Sequence, residues 1–269
     1  MREMTRKGFT YMTTTAGKKR IHTFITIIVF STMALVVSGC VDPYAPKIVS
    51  PLATQTEIIG QSVQNRPIEC FRFGDGPETI LVLASIHGNE SAGTPLAYKL
   101  IEHLQKDRRL LANRTILIIP AANPDGYAAG TRDNTNEVDL NRNFPAANRI
   151  NITEYGTHPL SEPETVALKE VIQAYRPTRI VSIHTPLSCI DYDGPGQAIA
   201  ENMARVCDLP VTKLGAHPGS LGSYVGETLS IPIITMELRA TDKNLTADEL
   251  WAKYGRAILA AIVYPEILY

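Results

Sequence analysis

Apolar and polar positions along this chain follow two different periods. From about residue 67, short apolar runs alternate with stretches in which apolar residues recur every three or four positions. The runs at 68–73, 79–85, 115–119, 180–184 and 233–237 predict strands. The run at 79–85 is almost wholly apolar, as a central strand buried on both faces should be. Between the strands, Leu96, Leu100, Ile101 and Leu104 mark one helix face, and Val166, Leu168, Val171 and Ile172 a second. Ile199, Met203 and Val206 mark a third, and Leu250, Tyr254, Ile258 and Ile262 the last. Ser161-Glu162-Pro163-Glu164 and Thr246-Ala247-Asp248-Glu249 read as capping boxes opening the second and the last of these helices. Residues 120–160 read as a long polar loop without obvious packing residues. Strands separated by helices predict an α/β fold, one domain with a sheet covered on both faces. No internal repeat and no second domain is visible.

The first forty residues follow neither period. Lys18-Lys19-Arg20 precedes an apolar stretch at 21–37, and Val37-Ser38-Gly39-Cys40 then sets small residues before a cysteine. The pattern resembles a bacterial lipoprotein signal, cleaved before Cys40, whose thiol would carry lipid. The competing reading is a transmembrane anchor. The stretch is short for a span of about 20 residues and is interrupted by His22, Thr23 and Thr26. Residues 41–66, with Pro43, Pro46 and Pro51, read as a tether, and 67–269 as the folded domain. Such a protein is expected to sit in the cell envelope, lipid-anchored at the periplasmic face of the outer membrane.

Charge narrows the partners. Setting aside the six basic groups and one acidic group of residues 1–40 leaves 20 basic and 26 acidic residues, a net charge of −6. A mildly acidic domain without a basic run is poorly suited to nucleic acid. Besides Cys40 there are three cysteines, Cys70, Cys189 and Cys207, which cannot all pair within one chain; a Cys189–Cys207 bridge is open.

The polar residues at the predicted strand ends carry the chemistry. His87 and Glu90 stand three apart where a strand runs into a helix, and His184 ends another strand. Two imidazoles and one carboxylate leave a fourth tetrahedral position for water, the donor set of a catalytic zinc. Taken alone, His-x-x-Glu is short enough to arise by chance. Glu237 closes an otherwise apolar strand, where a carboxylate must be solvated, paired or functional. It reads either as a general base beside a metal or as the ion-pair partner of Arg239. Arg132, Asn141 and Arg142 gather in the polar loop, with guanidinium forks suited to carboxylates and oxyanions.

Together these residues resemble the zinc carboxypeptidase family. His87-x-x-Glu90, Asn123-Pro124-Asp125-Gly126-Tyr127, Thr131-Arg132, Asp139-Leu140-Asn141-Arg142-Asn143-Phe144, Ser161-Glu162-Pro163-Glu164, His184 and Glu237-Leu238-Arg239 occur in that family's order, across 80–239. The segments 183–190 and 218–224 look most like those of the bacterial murein peptide amidases. The resemblance implies a mixed central β-sheet flanked by helices on both faces, and one zinc ion held by His87, Glu90 and His184. It also implies Glu237 as general base and acid, Arg132 as the group that polarises the scissile carbonyl, and Asn141 and Arg142 as ligands of the released residue's carboxylate. Asp139 would orient His87. No secure counterpart of the family's mobile tyrosine is found; Tyr224 and His217 are left as pocket or packing residues.

The implied substrate is a murein tripeptide or related peptidoglycan fragment, cut at its γ-D-glutamyl–meso-diaminopimelate bond. Asp191, Asp193 and Glu227 are three acids that could answer the diaminopimelate ammonium. A second enzymatic reading is an N-acyl-amino-acid deacylase of the succinylglutamate desuccinylase and aspartoacylase type. A third, of another class, is an inactive murein-binding lipoprotein.

Overall fold

The computed structural model describes residues 55–266, and there the two periods resolve into seven strands and five helices. The strands are β1 (Gln55–Gln61), β2 (Pro67–Phe73), β3 (Glu78–Ala84), β4 (Arg114–Ile119), β5 (Arg179–His184), β6 (Leu187–Asp193) and β7 (Ile233–Arg239). The helices are α1 (Gly93–Lys106), α2 (Pro124–Ala129), α3 (Pro163–Tyr175), α4 (Gln197–Ala204) and α5 (Ala247–Val263). The strands form one mixed sheet in the order β1-β2-β4-β3-β5-β7-β6. Its centre, β4-β3-β5-β7, is parallel. The antiparallel pair β1–β2 closes one edge and antiparallel β6 the other.

Both faces of the central strands are apolar because successive side chains point to opposite sides. Ile80, Val82 and Ala84 of β3 join Ile116 and Ile118 of β4 in a core beneath α1, α4 and α5. Leu81, Leu83, Leu117 and Ile119 join the opposite core, where Ala167, Leu168, Val171 and Ile172 of α3 pack. On the α1 side, β5 and β7 keep the apolar row with Val181, Ile183, Ile234, Met236 and Leu238. On the α3 side their outer halves turn polar, with Ser182, His184, Thr235 and Glu237. The site grows from that polar half.

Several expectations shift. Strand β1 lies within the stretch read as tether: Gln55–Gln61 pairs with β2, and Tyr175 on α3 donates to Glu57 (3.0 Å). An edge strand needs only one partner and keeps polar groups on its free side, so its sequence resembles a linker. The signal segment, Cys40 and the rest of the tether lie outside the described residues. Among the described residues, no helix is long and apolar enough to cross a membrane.

The capping box at Thr246 forms as expected, with Glu249 reaching back to the Thr246 N–H (2.8 Å). The one at Ser161 does not. Helix α3 starts from Glu162, without a side-chain cap, and Glu164 is drawn inward to accept from Asn134 Nδ2 (3.2 Å) and the Val63 N–H (3.3 Å). Proline at the first helical position makes a cap less necessary, freeing both acids for buried partners.

The segment 120–160 is also less of a loop than it reads. It holds α2, and two of its own residues, Leu140 and Phe144, are fully buried. Strand β6 was hidden because four polar residues, Ser188, Asp191, Tyr192 and Asp193, interrupt its apolar positions. Cys70, Cys189 and Cys207 are all free thiols, so the open Cys189–Cys207 bridge is not formed.

Candidate metal centre and active site

The three ligand residues come from the carboxyl ends of β3 and β5, where open α/β sheets bind their ligands. Ser85, directly after β3, takes a left-handed conformation (φ +49°) that turns the chain sharply toward His87. Its hydroxyl is tied to Thr94 Oγ1 (2.8 Å) at the start of α1. Gly88 then packs directly on α2: a Cβ there would lie 1.9 Å from the carbonyl carbon of Gly126. The Gly88 N–H donates to the Arg132 carbonyl (3.1 Å), which brings the arginine loop alongside the ligands.

His87, Glu90 and His184 are 3%, 7% and 4% exposed, and one donor atom from each lies within 4.8 Å of the others. His87 Nδ1 faces Glu90 Oε1 at 2.8 Å, and His184 Nδ1 faces Glu90 Oε2 at 2.9 Å. Burial would raise the Glu90 carboxyl, but the bonds to both histidines outweigh it and hold it well below the carboxylate range. A carboxylate between two inward-facing imidazoles fits a divalent ion, and the all-nitrogen-and-oxygen donor set suits zinc. The Thr185 N–H also donates to Glu90 Oε2 (3.0 Å), fixing the carboxylate plane.

Behind the ligands stands Asp139, whose Oδ1 is 3.1 Å from His87 Nε2. Burial disfavours charge on His87, yet the bonds to Asp139 and Glu90 prevail and make the ring a stronger base than usual. This is how an outer carboxylate orients a ligand and raises its donor strength. The other oxygen of Asp139 accepts from Arg132 Nη2 (3.0 Å) and Nε (3.3 Å). Arg132 Nη1 approaches Glu90 Oε1 at 3.4 Å.

Glu237 enters from β7, the neighbour of β5, and is buried. It receives the Leu187 N–H (3.2 Å) from the start of β6. Burial lifts its carboxyl above the ordinary range. The alternative pairing with Arg239 is absent: Arg239 bonds Asp208 (2.8 Å) and caps the short turn after β7.

Around these residues lies one cleft, lined also by Arg132, Asn141, Arg142, Pro186, Asp191, Asp193, Leu214, His217, Gly222 and Thr235. The cleft thus brings together His87, Glu90, His184, Glu237, Arg132, Asn141 and Arg142, with Asp191 and Asp193 of the three acids that could answer an ammonium. Asn141 is held by the Leu221 N–H (2.9 Å), and Arg142 lies over the Tyr155 ring (5.9 Å). Tyr224 does not enter the cleft; it is buried and stacks on Phe144 at 6.0 Å. Glu227 is exposed outside the cleft and accepts the Gly194 N–H (3.4 Å). Sequence reasoning missed Thr235, Gly222 and Leu214. The alternation of Thr235 with Glu237 along β7 could have revealed the first.

Comparison with known proteins agrees with this geometry. The profile of the family described as zinc carboxypeptidase matches residues 47–194. Murein peptide amidase A of Escherichia coli K12 is 34% identical over 218 residues, covering 74% of this chain and 86% of that protein. The protein of that name from Vibrio campbellii is 33% identical over 228 residues, covering 75% and 84%. Among solved structures, the murein-tripeptide amidase of Escherichia coli O157 superposes with a TM-score of 0.62 at 29% identity, over 82% of this chain and 98% of that one. Carboxypeptidase A of Helicoverpa armigera gives 0.69 at 21% identity, over 79% and 70%, a likeness of fold. With a family match over more than half its length and a buried His-Glu-His set at the sheet's carboxyl edge, this chain belongs to the zinc carboxypeptidase family and is a zinc metallopeptidase.

Proposed function

We propose that the protein hydrolyses murein peptides at the γ-D-glutamyl–meso-diaminopimelate amide bond. The observation that carries this reading is the cleft itself: a His-Glu-His set, a buried acid, the guanidinium and amide groups of Arg132, Arg142 and Asn141, and two further acids line one cleft. The names of its relatives point the same way. A bound zinc would supply a Lewis acid and lower the pKa of a water in its remaining position to about 7.

The protein's own groups do the rest. Glu237, with its proton affinity raised by burial, takes the proton of the attacking water and returns it to the departing nitrogen. Arg132, its guanidinium edge fixed by Asp139, stabilises the oxyanion that forms at the former carbonyl. Asn141 and Arg142 hold the free carboxylate of the residue being released, setting which bond lies beside Glu237. The Leu187 N–H steadies Glu237 between its two proton transfers. We further propose that Cys40 is lipidated and tethers this domain to the periplasmic face of the outer membrane, where murein fragments are at hand.

The test is to incubate zinc-loaded protein with L-Ala-γ-D-Glu-meso-diaminopimelate and identify products by mass spectrometry, with and without a chelator. Chelator-sensitive release of free diaminopimelate is expected. Turnover of N-succinyl- or N-acetyl-amino acids instead of the tripeptide would favour the deacylase reading. Binding without turnover would favour the inactive murein-binding protein.

A further inference from the structure

Beyond the metal ligands, the polar face of the sheet continues into the cleft along β6. In the register of β6 with β7, Cys189 stands opposite Glu237, Asp191 opposite Thr235 and Asp193 opposite Ile233. Cross-strand partners project to the same face. Asp191 therefore follows Glu237 along that wall at a spacing of two residues, about 7 Å. Asp191 and Asp193 both line the cleft and both are buried. A buried carboxylate is costly unless something compensates it.

The two acids are compensated differently. Asp193 has the Lys213 ammonium 3.1 Å from Oδ1. Its other oxygen is pressed against Gly222, where a Cβ would come within 2.2 Å of Oδ2. It is already neutralised and walled in. Asp191 accepts the Leu214 N–H (2.8 Å), and among the described residues it forms no salt bridge. Burial keeps its carboxyl above the ordinary range, the condition of an acid short of a counter-charge.

We propose that Asp191 is a specificity residue of the cleft, receiving a cationic group at the far end of the released residue's side chain. The proposal rests on the peptidase reading above, in which Asn141 and Arg142 hold that residue's α-carboxylate at the other end. A side chain ending in an ammonium brings the missing counter-charge to Asp191, whereas an alkyl side chain leaves the acid buried and unpaired. Asp193 is excluded from this role by Lys213. The diaminopimelate side chain, which ends in an ammonium beside a second carboxylate, meets the requirement, and so does lysine.

Three γ-D-glutamyl peptides differing only in the released residue test this: meso-diaminopimelate, lysine and norleucine. The wild-type protein should process lysine with kcat/KM at least ten times that of norleucine. In Asp191→Asn that ratio should fall about ten- to a hundredfold, the worth of a hydrogen-bonded charge. Asp193→Asn should leave the ratio within threefold. The ratio is independent of how much of a variant folds. A wild-type protein indifferent between lysine and norleucine overturns the assignment, as does an Asp191→Asn variant that slows all three peptides equally. Wild-type protein that cleaves none of the three refutes the peptidase reading itself, a distinct outcome.

Discussion

His184 and Glu237 are register partners on adjacent parallel strands, β5 and β7. A metal ligand and the acid beside it are thereby spaced by the sheet's own hydrogen bonds, with backbones about 4.8 Å apart. Neither depends on a mobile loop for its position. The arrangement holds the acid near the metal site, while Asn141, Arg142 and the segment 214–222 line other parts of the cleft.

Replacing Glu237 by Gln keeps the shape and the Leu187 N–H contact but removes the proton acceptor. The variant should bind zinc with wild-type stoichiometry and lose about 10²- to 10⁴-fold in kcat. Metal analysis alongside single-turnover kinetics checks it; wild-type rates would remove Glu237 from the chemistry.

One zinc per chain should be found, and His87→Ala or His184→Ala should each abolish stoichiometric binding. Because an ion that binds only the folded state stabilises it by mass action, chelation should lower the melting temperature of the wild type and not of these variants. Elemental analysis with differential scanning fluorimetry reads both effects.

The two arginines should separate in kinetics. Arg142→Gln weakens a contact made in ground and transition states alike, so KM rises with kcat little changed. Arg132→Gln removes a donor to the developing oxyanion, so kcat falls about 10²- to 10³-fold. Initial-rate kinetics on the tripeptide that show the reverse pattern would exchange their roles.

Asp125 anchors the β1–β2 turn to α2, accepting from Ser62 Oγ (2.7 Å), the Gln64 N–H (2.9 Å), Arg66 Nη1 (2.5 Å) and Thr135 Oγ1 (3.2 Å). Burial works to raise its carboxyl, but these donors prevail and hold it below the usual range. A depressed carboxyl stabilises the fold above its unfolded pKa, near 3.9, and that contribution is lost as pH falls through the folded value. Asp125→Ala should cost about 1–3 kcal/mol at pH 7. The gap from wild type, followed by urea denaturation, should narrow below pH 4.

Cys40→Ser should shift the protein from the membrane to the soluble fraction of the cell and abolish incorporation of labelled palmitate. Unchanged membrane association without label would restore the transmembrane reading.

Much of this protein was legible before folding. Apolar periodicity located five of the seven strands, because central strands buried on both faces carry unbroken apolar runs. The ordered motifs from His87 to Glu237 named the His-Glu-His set and, of the cleft's other charged residues, Arg132, Arg142 and Glu237, since each donor type must be present whatever the loops do. Edge strands β1 and β6 escaped, because one-sided pairing tolerates polar residues, and so did α2, too short to show a period. What only the tertiary structure decided is relative position. Gly88 against Gly126 brings Arg132 to Glu90; β5–β7 register sets Glu237 beside His184; β6–β7 register carries Asp191 into the cleft. These are distances between groups far apart in the chain, determined by backbone pairing and close packing, and no local pattern encodes them.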